Sequence, residues 1–252
     1  MSDRKKIVSQ PLMIAFISII TLALTACNPA GRHNQQEGNT EVDGDFKPDT
    51  DIELTAVKTD MQLLPGAHTA VFTYRSKLIS GDDKSLEELP GSYLGPIIRV
   101  KPGQKIRVRF KNELPHESII HWHGLHISPV MDGHPMFAVE TGEEYVYEFE
   151  VTNRPGTYWF HPHPDKITGP QVYYGLAGMF IVEDENDNLP SGEFDLPLVI
   201  QDRTFDDRNQ LVYQGDRRMQ MQGFLGNRIM INGSASTSLS VSRATYRFRM
   251  LN

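Results

Sequence analysis

Lys105–Asn112 alternates strictly, with Ile106, Val108 and Phe110 on one side and Arg107, Arg109 and Lys111 on the other. A period of two sends successive side chains to opposite faces, so this octet predicts a half-buried antiparallel strand. Runs at 69–75, 97–100, 119–123, 144–151, 157–161 and 177–183 are rich in β-branched and aromatic residues and predict further strands. Between two of them, Lys101-Pro102-Gly103-Gln104 has the form of a type II turn, with Pro setting φ at the second position and Gly accepting positive φ at the third. Asn153-Arg154-Pro155-Gly156 repeats the Pro-Gly pair ahead of the 157–161 run. No convincing amphipathic helix lies between these strands. The spacing therefore predicts an all-β domain, a Greek-key β-sandwich spanning residues 52–185.

The pattern changes on both sides of that domain. Residues 184–192 are polar and form a linker, after which 196–201, 228–231 and 245–250 predict strands of a second β unit over 193–252. So few strands leave sheet edges and an apolar face uncovered, and this unit reads as incomplete, the chain as truncated. At the other end, Arg4, Lys5 and Lys6 precede an apolar run over 12–24 and then Leu24-Thr25-Ala26-Cys27. This marks residues 1–26 as a targeting segment, too short in its apolar part for a full membrane span. It resembles the bacterial lipoprotein signal. That resemblance implies export, cleavage before Cys27, lipidation of Cys27 and a membrane anchor on the periplasmic or cell-surface side; the alternative is an ordinary signal with an incidental cysteine. Residues 27–51 are polar and predict a flexible tether, spanning on the order of 25 Å.

Composition narrows the functional classes. The 252 residues are 39% hydrophobic and 23% charged, as in a globular protein, with a formal net charge of −7. An acidic balance argues against nucleic acid as a partner. Cys27 is the only cysteine, so the fold depends on its core and not on disulfides.

The candidate chemistry sits in His121-Trp122-His123 and His161-Pro162-His163, which together hold four of the nine histidines. On a strand, residues i and i+2 share a face about 7 Å apart, so each pair projects two imidazoles the same way and Trp122 the opposite way. Pro162 stiffens the backbone between its two histidines and donates no ladder hydrogen bond. Four imidazoles from two strands suit copper or zinc first, then nickel or iron. Packed or surface histidines are the plain alternative. His33, His68 and His116 read as surface residues, and nothing in the spacing of His126 and His134 makes them ligands.

Several longer motifs accompany the histidines: Pro90-Gly91-Ser92-Tyr93-Leu94-Gly95-Pro96, His121-Trp122-His123-Gly124-Leu125, Met131-Asp132-Gly133, Gly156-Thr157-Tyr158-Trp159-Phe160-His161-Pro162-His163 and Gly175-Leu176-Ala177-Gly178. Together they resemble the first cupredoxin (plastocyanin-like) domain of the multicopper oxidases, the laccase-like enzymes. Gln201-Asp202-Arg203, Gly223-Phe224-Leu225-Gly226, Ile231-Asn232-Gly233 and Tyr246-Arg247-Phe248-Arg249 resemble the start of that family's second domain. The resemblance implies copper, with His121 a ligand of the type 2 ion and His123, His161 and His163 ligands of the type 3 pair. It implies a role for Asp132 in supplying protons during oxygen reduction, against the plainer reading of a turn Asp before Gly133. Asp165 departs from a histidine common at that place, which bears on the surroundings of the site and not on the metal. The family's reaction is one-electron oxidation of phenols, amines or metal ions, coupled to reduction of O2 to water.

The type 1 site of the family needs a cysteine ligand, and the His-x-x-His-x-His and His-Cys-His motifs of its last domain have no counterpart here. The expectation is a copper-binding portion of an oxidase that does not turn over alone, completed in the whole enzyme or by a separate chain that carries the remaining ligands. A non-catalytic, surface-tethered copper-binding lipoprotein is the rival. A zinc hydrolase, with Asp132 or Asp165 as its carboxylate, ranks last.

Overall fold

A computed structural model describes residues 41–252 apart from 187, 214–216, 218–220 and 222. The predicted targeting segment, Cys27 and most of the tether lie outside the described residues. Among the described residues, no helix is long and apolar enough to cross a membrane.

Two sheets face each other. The first has the order β2-β1-β5-β7, made of β1 (Thr50–Met61), β2 (Thr69–Ser80), β5 (Lys105–Asn112) and β7 (Glu144–Glu150). The second has the order β3-β4-β9-β8-β6, made of β3 (Leu86–Glu87), β4 (Ile97–Val100), β6 (Ile120–His123), β8 (Gly156–Pro162) and β9 (Gly178–Val182). Ile52, Leu54, Val108, Phe110, Tyr145 and Tyr147 from the first sheet pack against Ile98, Val100, Trp122, Phe160 and Phe180 from the second. This is the β-sandwich that the alternation predicts, with β5 at the predicted residues and Trp122 fully buried. The turn ahead of β5 also forms, with Gly103 at φ 81° and Gln104 N–H donating to the Lys101 carbonyl at 3.2 Å.

Four features depart from the sequence reading. Residues 43–49 do not behave as a free tether. Arg107 donates to the carbonyls of Asp43 and Phe46 at 2.9 and 3.0 Å, and Asp49 caps the Lys105 N–H at 2.8 Å. The "polar" side of β5 is consequently covered: Arg107 is 7% exposed and paired with Glu148, while Arg109 pairs with the buried Asp51. β1 itself, Thr50–Met61, is a strand missed in the sequence, because charged residues interrupt its apolar positions. Finally, a short helix α1 (Thr168–Tyr174) follows β8. It is too brief for a periodic signal, yet its Gln171 is fully buried and ties down the chain just ahead of β6.

A third sheet has the order β11-β10-β12, from β10 (Asp195–Arg203), β11 (Arg228–Ile231) and β12 (Arg247–Leu251). One of its faces packs Val199 and Met230 against Ile97, Met179 and Ile181 on the outer face of the five-stranded sheet. The other face carries Ile229, Phe248 and Met250 at 62%, 44% and 67% exposure.

Candidate metal centre

The histidines lie on the outer face of the five-stranded sheet, beside the part covered by the third sheet. β6 and β8 pair antiparallel with His121 opposite His161 and His123 opposite Trp159. Directly opposed residues share a face, so these four side chains stand together while Trp122 and Phe160 point into the core. β6 is an edge strand. Its outward Ile120 N–H is satisfied by the Tyr147 hydroxyl at 2.8 Å, reaching across the core from β7. His163 lies one residue past β8, but its N–H bonds the Ile119 carbonyl at 2.9 Å and so carries the ladder on.

Neighbouring segments fix this strand pair. Ser118 and Val139 exchange backbone hydrogen bonds at 3.0 and 2.9 Å. Gln171 accepts from Ser118 Oγ at 2.8 Å and donates to the Glu117 carbonyl at 2.8 Å. Its amide also meets His116 Nδ1 at 3.0 Å, and His116 packs edge-on against Phe72, so His116 is a packed residue and not the surface one expected. After β6, Gly124 turns the chain with φ 87°, and Asn153 bridges the loop through its bonds to the Gly124 carbonyl and the His126 N–H.

Ring nitrogens of His121, His123 and His161 all lie within 4.8 Å of one another. His163 stands beside this trio, its ring centroid 5.2 Å from that of His121 and 6.2 Å from that of His161. His161 Nδ1 donates to the Pro162 carbonyl at 2.9 Å, which leaves Nε2 as the lone-pair nitrogen. That nitrogen faces His123 Nδ1 at 3.2 Å. His121 Nδ1 likewise meets the Asp132 carbonyl at 2.7 Å, freeing its Nε2. His163 Nδ1 is buried with no hydrogen-bond partner.

Electrostatics favour neutral rings at His161 and His163. Burial, with the neighbouring histidines, pushes the His161 imidazole down to about 4 against the opposing pull of the Pro162 carbonyl. Burial and His121 also lower His163, opposed by the Gly133 backbone. Neutral imidazoles with free lone pairs are what a borderline transition metal takes. The orphaned His163 nitrogen and the facing His123–His161 pair fit such an ion.

Asp132 reaches this site by a close approach. Gly133 has φ 75°, and a Cβ there would lie 1.9 Å from the Ile120 carbonyl oxygen. With no side chain, the 131–133 loop lies against β6, and an Asp132 carboxylate oxygen comes within 3.3 Å of His121 Nδ1. Asp165 is solvent-exposed and pairs with Lys166 at 3.2 Å. His68, His126 and His134 are exposed, and His134 caps the short turn Pro135–Phe137. Sequence reasoning missed Trp159, which stacks on His123 and abuts His161. Its signal was available only once the register of β6 and β8 was known.

Comparisons with known proteins give the chain its relatives. Residues 73–187 match the family model described as multicopper oxidase. The chain is 37% identical over 165 residues to the multicopper oxidase mco of Staphylococcus aureus, covering 64% of this chain and 36% of that protein. It also resembles the crystal structure of the McoA multicopper oxidase from Aquifex aeolicus, with 39% identity and a TM-score of 0.69 over 82% of this chain and 43% of that one. A cell division protein FtsP from Sodalis glossinidius is 32% identical over 167 residues, 64% of this chain and 35% of that protein. The chain spans about a third of the length of the curated relatives it matches. Sandwich, histidine pairs and comparisons together support an N-terminal portion of a multicopper oxidase.

Proposed function

We propose that this chain is the copper-binding N-terminal part of a multicopper oxidase. The observation that carries the reading is the convergence of three imidazole nitrogens within 4.8 Å, from two paired strands, in a chain of this family. His121 serves the type 2 ion, and His123, His161 and His163 serve the type 3 pair. Copper bound there supplies one-electron redox chemistry, by which electrons taken from phenols, amines or metal ions reach O2. The protein's own contribution is to orient the rings and to hold His161 neutral. The Asp132 and Pro162 carbonyls set the tautomers of His121 and His161, and burial keeps His161 unprotonated at neutral pH. Asp132, with its side chain 41% exposed, links His121 Nδ1 to solvent and is placed to hand protons toward the site.

Within these 252 residues the only cysteine is Cys27, so no thiolate is present for a type 1 site. The four remaining ligand positions of the cluster and the electron-entry site are to be supplied by further polypeptide, and the chain alone does not turn over. The likeness of residues 1–27 to a lipoprotein signal supports export and a membrane anchor at Cys27. The test is a copper titration of the purified chain with an aerobic assay on a phenolic substrate. Tight stoichiometric copper, lost in His121→Ala and His161→Ala, without turnover, is the expected result. Sustained turnover with a blue absorption band would overturn the inactivity, and failure to bind copper would overturn the site.

A second reading rests on the likeness to a protein named for cell division. In it the same sandwich serves as a non-catalytic, surface-tethered module. Copper retained as a carrier or buffer, with no oxidase activity when the missing ligands are supplied, would favour that reading.

A further inference from the structure

We infer that Trp159 is a positioning residue, the platform that fixes the His123 imidazole, and with it the His123–His161 nitrogen pair, for metal binding. The inference rests on the copper-site reading above and adds how its exposed member is held. Carbonyls orient two of the four rings: Asp132 meets His121 Nδ1 at 2.7 Å and Pro162 meets His161 Nδ1 at 2.9 Å. His123 has no such carbonyl. It is an exposed residue on the edge strand, and its ring nitrogen bonds only toward His161, at 3.2 Å. An unsupported imidazole there would sample several χ1 and χ2 states, and a metal would have to order it.

Trp159 removes that freedom by stacking. The register places it directly opposite His123, and the two rings lie 28° from parallel with centroids 5.1 Å apart. The same indole lies 4.3 Å from the His161 ring centroid, at 37°. On its other side Trp159 is opposite Met179 of β9, which is 1% exposed beneath the third sheet. Trp159 thus has a buried cross-strand neighbour on one side and, on the other, the His123 ring that it stacks against. Aromatic stacking prefers a defined offset geometry, so it sets ring direction as well as position. Partners that orient metal ligands without touching the metal typically change affinity by about 10- to 100-fold when removed. His121 keeps its own support in the Asp132 carbonyl.

The experiment uses the full chain with Trp159→Phe, Trp159→Leu and Trp159→Ala. Copper affinity is measured by calorimetry, and imidazole tautomers of the metal-free protein by long-range proton–nitrogen NMR. Thermal unfolding of each variant confirms the fold. Leu and Ala should weaken copper by about 10- to 100-fold, and Phe should restore binding to near the original value because it keeps the stacking face. In the metal-free chain, the His123 signals should lose their single tautomer in Leu and Ala, while His121 keeps its own. A folded Trp159→Leu variant with unchanged affinity and an unchanged His123 spectrum overturns the inference. If the original chain binds no copper, the copper reading fails, and the metal-free spectra still decide whether Trp159 orders His123.

Discussion

Gly133→Ala probes how the Met131-Asp132-Gly133 loop is held against the ligand strand. The new Cβ would lie 1.9 Å from the Ile120 oxygen, 2.4 Å from its carbonyl carbon and 2.8 Å from the His121 Cα. Ordinary contact begins near 3.4 Å, so loop and strand must part by about 1.5 Å. That separation breaks the contact of His121 Nδ1 with the Asp132 carbonyl, now 2.7 Å, a loss of about 1 kcal/mol. The left-handed backbone, φ 75°, costs a non-glycine residue a further ~1–2 kcal/mol. Together these destabilise the chain by about 2–3 kcal/mol. Gly142→Ala is the control, because Gly142 has φ 89° but no atom within 4 Å of its would-be Cβ. It should cost only the conformational part, about 1–2 kcal/mol. With a urea slope of about 2 kcal/mol/M, the midpoint falls by about 1–1.5 M for Gly133→Ala and about 0.5–1 M for Gly142→Ala, the former lower by about 0.5 M. Equal midpoints for the two variants would refute the close-approach argument, since only sterics separate them.

Acid stability of the metal-free chain should carry the mark of His161. Its imidazole sits at about 4 in the folded chain against an ordinary value of 6.5, so between these pH values the unfolded chain binds the proton more readily. Stability is therefore complete above pH 6.5 and declines as pH falls toward 4, by about 3 kcal/mol in all. Urea midpoints measured across that range should flatten in His161→Gln, and an unchanged slope would remove His161 as the cause. On the third sheet, Met250→Lys should leave stability within about 0.5 kcal/mol, because Met250 is 67% exposed. It should also raise solubility, since it breaks an apolar patch; a loss of more than about 2 kcal/mol would show that this face is covered.

Strands whose environments differ between their two faces were legible, and strands buried on both were less so. Lys105–Asn112 has one face in the main core, so its alternation located it to the residue. Arg107 looked like the solvent side of that strand, because nothing in the octet reports that residues 43–46 fold back over it. β1 was missed for a related reason. Asp51 is 4% exposed and satisfied by Arg107 and Arg109, partners more than fifty residues away in the chain. A buried acid paired at that separation reads locally as a polar interruption. Helix α1 spans only Thr168–Tyr174, two turns, and is held by Gln171 hydrogen bonds and not by an amphipathic stripe.

The site was legible as four histidines on a shared face and illegible as a grouping. Spacing of two residues puts each pair on one side, but which ring meets which depends on the register of β6 against β8. With His121 opposite His161, the partner of His123 becomes Trp159, and the fourth histidine is displaced past the strand end. Three nitrogens then converge while His163 stands beside them with a buried, unpartnered Nδ1. A register shifted by two residues would keep every side chain on its face, yet pair His123 with His161 and leave Trp159 opposite no ring of the site. The pairing seen here gives the edge histidine an aromatic support and draws His161 down to 7% exposure. That burial is also what holds His161 neutral, so orientation and protonation state at this site follow from one choice of register.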